Sequence, residues 1–243
     1  MNRFLPALAL ASAALVAPLA HANPSFSVSA YSEYEFRGLG QTGQRPAAQA
    51  TAAYNHESGF YAGAFASNVS WLKDAASAGG FKTDARMEID LYGGYKFEPT
   101  KGVTVDVGFL RYEYPNSGAF NPKPNTNELY GSVASGPVTL KYSRTISDAF
   151  GVANSKGSDF IEANLALPVT DKITLTAQLA HQRFKNAKPL DYTVFKIGAT
   201  YDLGGGWTAG GYLKDTNADS GLYTVKGKDW GTGRVVAFAT YSF

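Results

Sequence analysis

The sequence predicts an all-β fold: a single antiparallel transmembrane β-barrel of about twelve strands, with short periplasmic turns and longer extracellular loops. Three observations predict it. Apolar and polar residues alternate with period two over runs of about ten residues, the length a tilted strand needs to cross a bilayer. The connections between those runs alternate short and long. The chain opens with an export segment and closes on an aromatic residue, Phe243.

The N-terminus sets the compartment. Arg3 supplies a positive n-region, Phe4 to Ala17 an apolar run, and Ala20-His21-Ala22 an A-x-A cleavage site. Residues 1–22 therefore read as a secretory signal peptide, and residues 23–243 as one outer-membrane barrel domain. Composition agrees. There is no Cys, so no disulfide framework and no thiolate metal site, and a net charge of +2 gives no electrostatic case for nucleic acid. After the leader no run of eighteen apolar residues occurs, so no helix is expected to span a membrane.

Strands are expected near 25–37, 46–57, 59–71, 86–97, 102–114, 126–135, 137–146, 158–168, 171–183, 191–202, 206–214 and 233–243. In the first, Phe26, Val28 and Ala30 alternate with Ser27, Ser29 and Tyr31; in the fourth, Ile89 and Leu91 alternate with Glu88, Asp90 and Tyr92. Tight turns fall at 57–59, 98–101, 135–136, 169–170 and 203–205, and longer polar segments at 38–45, 72–85, 115–125, 147–157, 184–190 and 215–232. That sorting is the outer-membrane arrangement, and it places both chain ends on the periplasmic side. Prolines such as Pro46, Pro99, Pro115, Pro137 and Pro168 fall in loops or at strand ends, where no ladder N–H is lost. Tyr241 and Phe243 resemble the C-terminal assembly signal of bacterial barrels, although Phe238 stands where that signal usually has glycine.

The apolar phase is assigned to lipid and the polar phase to the lumen. Lumen-facing charges then include Glu33, Glu35, Arg37, Glu88, Asp90, Lys96, Asp106, Glu128, Lys141, Glu162 and Lys196. Of these, Glu33, Glu35, Arg37, Asp90, Asp106, Lys141, Glu162 and Lys196 are the expected pore-lining set. Asp90 and Asp106 are expected to form an acidic wall facing Lys141 and Lys196 across the lumen, a transverse field that filters polar solutes.

Other motifs give way to this reading. Gly38 to Gly43, GLGQTG, has the G-x-G-x-x-G spacing of a dinucleotide loop, but the following residues, Arg45 to Tyr54, run directly into HESGFYAG and leave no room for a parallel crossover. Those glycines are expected to supply positive φ in a hairpin loop. Asp215-Thr216-Asn217-Ala218-Asp219 resembles half a calcium loop, yet Ser220 and Lys226 occupy the positions that need Gly and Glu. His56 and His181 are placed at opposite rims, and no G-x-S-x-G elbow occurs, so no catalytic site is expected.

SEYEFRGLGQTGQRPAAQ, then HESGFYAGAFASNVSW and IDLYGGY, resemble the TorF-type family of proteobacterial porins. The likeness is clearest over residues 29–97, with Gly40 in place of an expected Ser. It implies an outer-membrane barrel of porin type and names no solute. The functional expectation is a channel for passive diffusion of small polar or charged solutes, without enzymatic activity or cofactor. Its partners would be outer-membrane lipid, the barrel-assembly machinery during insertion and the solutes themselves. The alternative is a closed structural or binding barrel that presents its loops to a partner.

Overall fold

The computed structural model describes residues 23–243; the expected signal peptide lies outside the described residues. Twelve antiparallel strands close into one barrel, each paired with its neighbours in sequence and the last with the first. They are β1 (Asn23–Tyr31), β2 (Ala47–Asn55), β3 (Phe60–Asn68), β4 (Met87–Thr100), β5 (Val103–Glu113), β6 (Thr126–Ser135), β7 (Val138–Thr145), β8 (Asp159–Pro168), β9 (Ile173–Arg183), β10 (Tyr192–Gly204), β11 (Trp207–Thr216) and β12 (Arg234–Ser242). Closure runs through β1 and β12, with Val28 opposite Tyr241 and Tyr31 opposite Phe238. No sheet edge is left, so the ladder satisfies the backbone polar groups of the wall, as hydrocarbon requires.

The two faces divide as the alternation predicts. Leu140, Ile161, Leu179, Leu129 and Val235 are among the large apolar side chains that point outward, 52–75% exposed. In water such a surface would be an aggregation hazard; against lipid tails it is the stable face. Glu88, Asp90, Asp106, Glu128, Glu162 and Lys196 point inward and are buried. This is a transmembrane β-barrel, and no helix among the described residues is long and apolar enough to cross a membrane.

Outward aromatic rings gather at the short-turn end. Phe60 stacks near Tyr95 at 4.8 Å, Tyr95 near Phe97 at 5.6 Å, Trp207 near Tyr241 at 4.9 Å and Tyr241 near Phe243 at 4.8 Å. These amphipathic rings suit the headgroup level. The Phe243 N–H donates to the Phe26 carbonyl (2.9 Å), so the last residue still belongs to the closing seam while its ring is exposed.

Glycines inside the wall serve tyrosines. Gly63 is directly opposite Tyr92, Gly94 opposite Tyr61 and Gly108 opposite Tyr130. A Cβ on any of the three would collide with the opposing ring. Each tyrosine therefore lies along the wall instead of crossing the lumen, which is why GG and VG occur in strands otherwise rich in β formers.

One expected element is corrected. The first strand ends at Tyr31, not at residue 37. Residues 32–46 leave the wall and fold into the barrel, because Glu33, Tyr34, Glu35 and Arg37 are buried against lumen-facing side chains of other strands. The alternation continues through Arg37, but there it describes the two sides of an inserted hairpin.

Candidate functional site

The inserted segment is built around a two-residue ribbon, Glu35–Phe36 paired with Leu39–Gly40. Its tip is Arg37 (φ 49°) and Gly38 (φ 84°), the consecutive positive φ values of a tight hairpin turn. Gly38 is required twice, since a Cβ there would also meet the Val194 and Thr216 side chains on the wall. Gly43 has a positive φ of 60° as well, whereas Gly40 does not. The G-x-G-x-x-G spacing thus reflects two turns and one close contact.

Three ion pairs tie this hairpin to three strands. Arg37 meets Glu128 of β6 at 2.7 Å, Glu35 meets Lys196 of β10 at 2.7 Å, and Glu33 meets Arg234 of β12 at 3.7 Å. Hydrogen bonds add further walls. The Tyr34 hydroxyl donates to Glu88 of β4 (2.5 Å), Lys214 of β11 donates to the Gly38 carbonyl (2.9 Å), and Arg37 donates to Gln182 of β9 (3.0 Å). Six strands therefore hold the hairpin.

Aromatic packing seals the same level. Tyr31, Tyr34, Tyr112, Tyr114, Tyr212 and Phe238 form one buried cluster, and Phe160, Tyr192, Val194 and Tyr223 form part of a second. The helix α1 (Trp71–Ala78) and the segment 217–233 lie above: the Ser70 N–H donates to the Gln41 carbonyl (2.8 Å), the Gly40 N–H to the Trp230 carbonyl (2.9 Å), and Lys228 faces Asp74 at 3.8 Å. In that outer segment, part burial raises the Asp229 carboxyl pKa, but the Ser220 hydroxyl and the Gly231 and Thr232 amides more than offset it and hold it below the usual range. Asp219 accepts from the Gly221 amide (2.8 Å) and Asp215 from the Thr216 amide (2.9 Å), so the calcium-like carboxylates are engaged in local turns.

Below the hairpin lies the short-turn half of the lumen. Tyr61, Tyr92, Tyr130, Lys141 and Asn164 are part-exposed there. Asp106 accepts from the Tyr61 hydroxyl (2.6 Å), Lys96 lies over the Tyr61 ring (5.5 Å) and Lys141 over the Tyr130 ring (4.6 Å). Glu162 accepts from the Asn164 and Gln178 amides, both at 2.9 Å.

The eight expected residues thus divide. Glu33, Glu35 and Arg37 sit on the hairpin rather than on β1. Lys196 is engaged by Glu35. Asp90 stands at the same end, on β4, six strands away from β10 in the ring of twelve, with the hairpin inside the barrel at that level. Asp106 and Lys141 do not face one another: they share one cross-strand row, Lys96–Asp106–Ser132–Lys141–Glu162, whose signs alternate along a single wall. The acidic wall at the hairpin's level is instead Glu88, Asp90 and Glu128 on β4 and β6, and the basic wall is Lys196, Lys214 and Arg234 on β10, β11 and β12. Lys214 and Arg234 were missed because they sit at expected strand ends, yet Lys214 follows Thr208, Gly210 and Tyr212 in the inward phase.

His56 lies in the turn before β3 and His181 near the other end of β9. Tyr241 and Phe243 pack on one another at the short-turn rim of the closing strand.

A family model for bacterial proteins of unknown function, Gcw_chp, matches residues 18–243. The chain belongs to the Gcw_chp family. No curated protein matches its sequence. Among solved structures it is similar to the KdgM porin, at 9% identity and a TM-score of 0.57 over 90% of this chain and 99% of that one. The KdgM porin in complex with disordered oligogalacturonate gives 9% identity and a TM-score of 0.58 over the same shares. The NanC porin gives 11% identity and a TM-score of 0.54, over 89% of this chain and 98% of that one. At these identities the likeness establishes the fold.

Proposed function

We propose that this Gcw_chp protein is an outer-membrane porin-like channel that passes small polar or charged solutes by diffusion, without a chemical step. The observation that carries this reading is the interior: a closed barrel, apolar outside, whose lumen holds an acidic wall and a basic wall on opposite strands. Charges at membrane depth are costly, and a structural barrel has little use for opposed walls of them. The fold shared with the KdgM and NanC porins supports the reading, as does the resemblance of residues 29–97 to the TorF-type porins. Export by residues 1–22 and assembly through Tyr241 and Phe243 complete the proposal, with outer-membrane lipid and the assembly machinery as the partners of that route.

The interior charge bears on the solute. The acidic and basic walls nearly balance, whereas an acidic oligosaccharide such as the oligogalacturonate held by KdgM would call for an excess of cations. The reading therefore favours dipolar solutes. Conduction also requires the hairpin to move, since it occupies the long-loop half of the lumen.

The test is conductance in planar bilayers of the full chain and of a variant in which residues 33–44 are replaced by a short Gly/Ser linker. The linker variant is expected to conduct well above the wild type. Silence from both, with insertion verified, would remove the channel and leave the alternative of a closed structural or binding barrel.

A further inference from the structure

The hairpin pairs its own charges with the two walls in a fixed order. Its carboxylates, Glu33 and Glu35, meet the basic wall, and its guanidinium, Arg37, meets the acidic wall. It therefore occupies the lumen as a bound zwitterion would. We propose that the hairpin is a resident mimic of the transported solute, and that the site beneath it takes amino acids or short peptides carrying both a carboxylate and a guanidinium. This deepens the channel reading and rests on it for transport, though not for binding.

The Arg37 end is a built cation site. The guanidinium lies over the rings of Phe160 (4.4 Å), Phe36 (5.0 Å) and Phe150 (5.8 Å) while donating to Glu128 and Gln182. Aromatic faces with a carboxylate at one edge are a recognition geometry for a planar cation. The supply of negative charge also exceeds what Arg37 uses. Two carboxylates, Asp90 and Glu128, face this one cation, and Glu88, which accepts from the Tyr34 hydroxyl, stands beside Asp90 on β4. Each leaves a buried oxygen without a hydrogen-bond partner: Glu88 Oε2, Asp90 Oδ1 and Glu128 Oε1. Asp90 is only 8% exposed. Buried acceptors left open in this way are costly unless a further donor visits them, and a guanidinium brings five N–H donors in one plane.

The resident group is also held under strain. Arg37 is a non-glycine residue at φ 49°, a conformation that persists only where its surroundings impose it. A free solute offering the same guanidinium and carboxylate makes the same pairs without that backbone. It can therefore compete for the walls and release the hairpin, so that solute entry and opening are one exchange.

Two measurements test this, one independent of conduction. In detergent, full-length Arg37→Ala has an empty cage. L-arginine is expected to raise its melting temperature by about 2–4 °C, as a ligand at a few times its dissociation constant does for a chain of this size, while L-citrulline, which replaces the guanidinium by a neutral urea, does not. Adding Glu128→Gln should abolish the arginine shift. If Arg37→Ala does not fold, Arg37→Gln serves. In planar bilayers, L-arginine on the loop side should raise the open fraction of wild type several-fold over L-citrulline at equal concentration. Agmatine, which lacks the carboxylate, should be weaker than arginine. Equal shifts from arginine and citrulline overturn the proposal and leave Arg37 as a structural latch, even if the linker variant conducts. An arginine-specific shift with a silent bilayer upholds the binding site and refutes the channel.

Discussion

At the scale of single residues, inserting the hairpin commits charges to a low-dielectric interior, and each then depends on its partner. Glu35 and Lys196 have side chains 1% and 7% exposed. Removing one of them strands the other, a loss of about 3–5 kcal/mol for a buried pair. Lys196→Ala should therefore loosen the hairpin, read as faster proteolysis between residues 33 and 45, while Lys196→Ala with Glu35→Gln should recover most of the protection. Facing can be tested in the same manner on β7. Leu140 is 57% exposed toward lipid and its neighbour Thr139 points inward. Leu140→Arg should cost up to about 2–4 kcal/mol, the midplane value, scaled by its depth, and Thr139→Arg less, measured by reversible unfolding in lipid. The reverse order would mean that the two faces are exchanged. Gly94 gives a third case. A side chain there collides with Tyr61 and with the Val107 carbonyl, so Gly94→Val should disturb the wall more than the same change at Gly131 of β6, where a Cβ meets only ordinary contacts at 3.9 Å.

At the scale of elements, the period-two pattern carried most of the architecture. The predicted strand at 126–135 is β6 without adjustment, and the remaining ones after the first differ by a few residues at their ends. The exception is informative. Residues 25–37 alternate without a break, and alternation cannot distinguish a wall strand from a hairpin pressed between two walls, because both have one side per residue. What ends β1 is long-range: the charges at 33, 35 and 37 find partners on β12, β10 and β6, and no local signal records those. The transverse walls were only partly legible for the same reason. Lumen-facing residues follow from phase, but their height depends on stagger, which separated Asp106 and Lys141 from the level of Asp90 and Lys196. The closing element carries its own prediction. Phe243 exposes its ring at the rim, 74% accessible, and contributes one backbone hydrogen bond to the seam. Its deletion should lower outer-membrane yield far more than it lowers the unfolding free energy of refolded protein; normal yield would argue against an assembly role for Tyr241 and Phe243.

For the whole molecule, the division into halves matters more than the barrel itself. The half toward the short turns is lined by part-exposed tyrosines that glycines hold flat against the wall. The half toward the long loops is filled by the hairpin, two aromatic clusters and a cover made by α1 and residues 217–233. The chain's own first loop enters the barrel and is held there by pairs to the wall strands. The central claim is that the loop stands where solute would pass, between an acidic wall and a basic one. The most direct measurement is single-channel recording in a salt gradient for the protein with residues 33–44 replaced by a short linker, alone and with Asp90→Asn and Glu128→Gln. Higher conductance than wild type in the linker variant, with a reversal potential that moves toward anions when the two carboxylates are neutralised, is the expected result. Unchanged conductance on removing the hairpin, or a reversal potential indifferent to Asp90 and Glu128, would contradict the account.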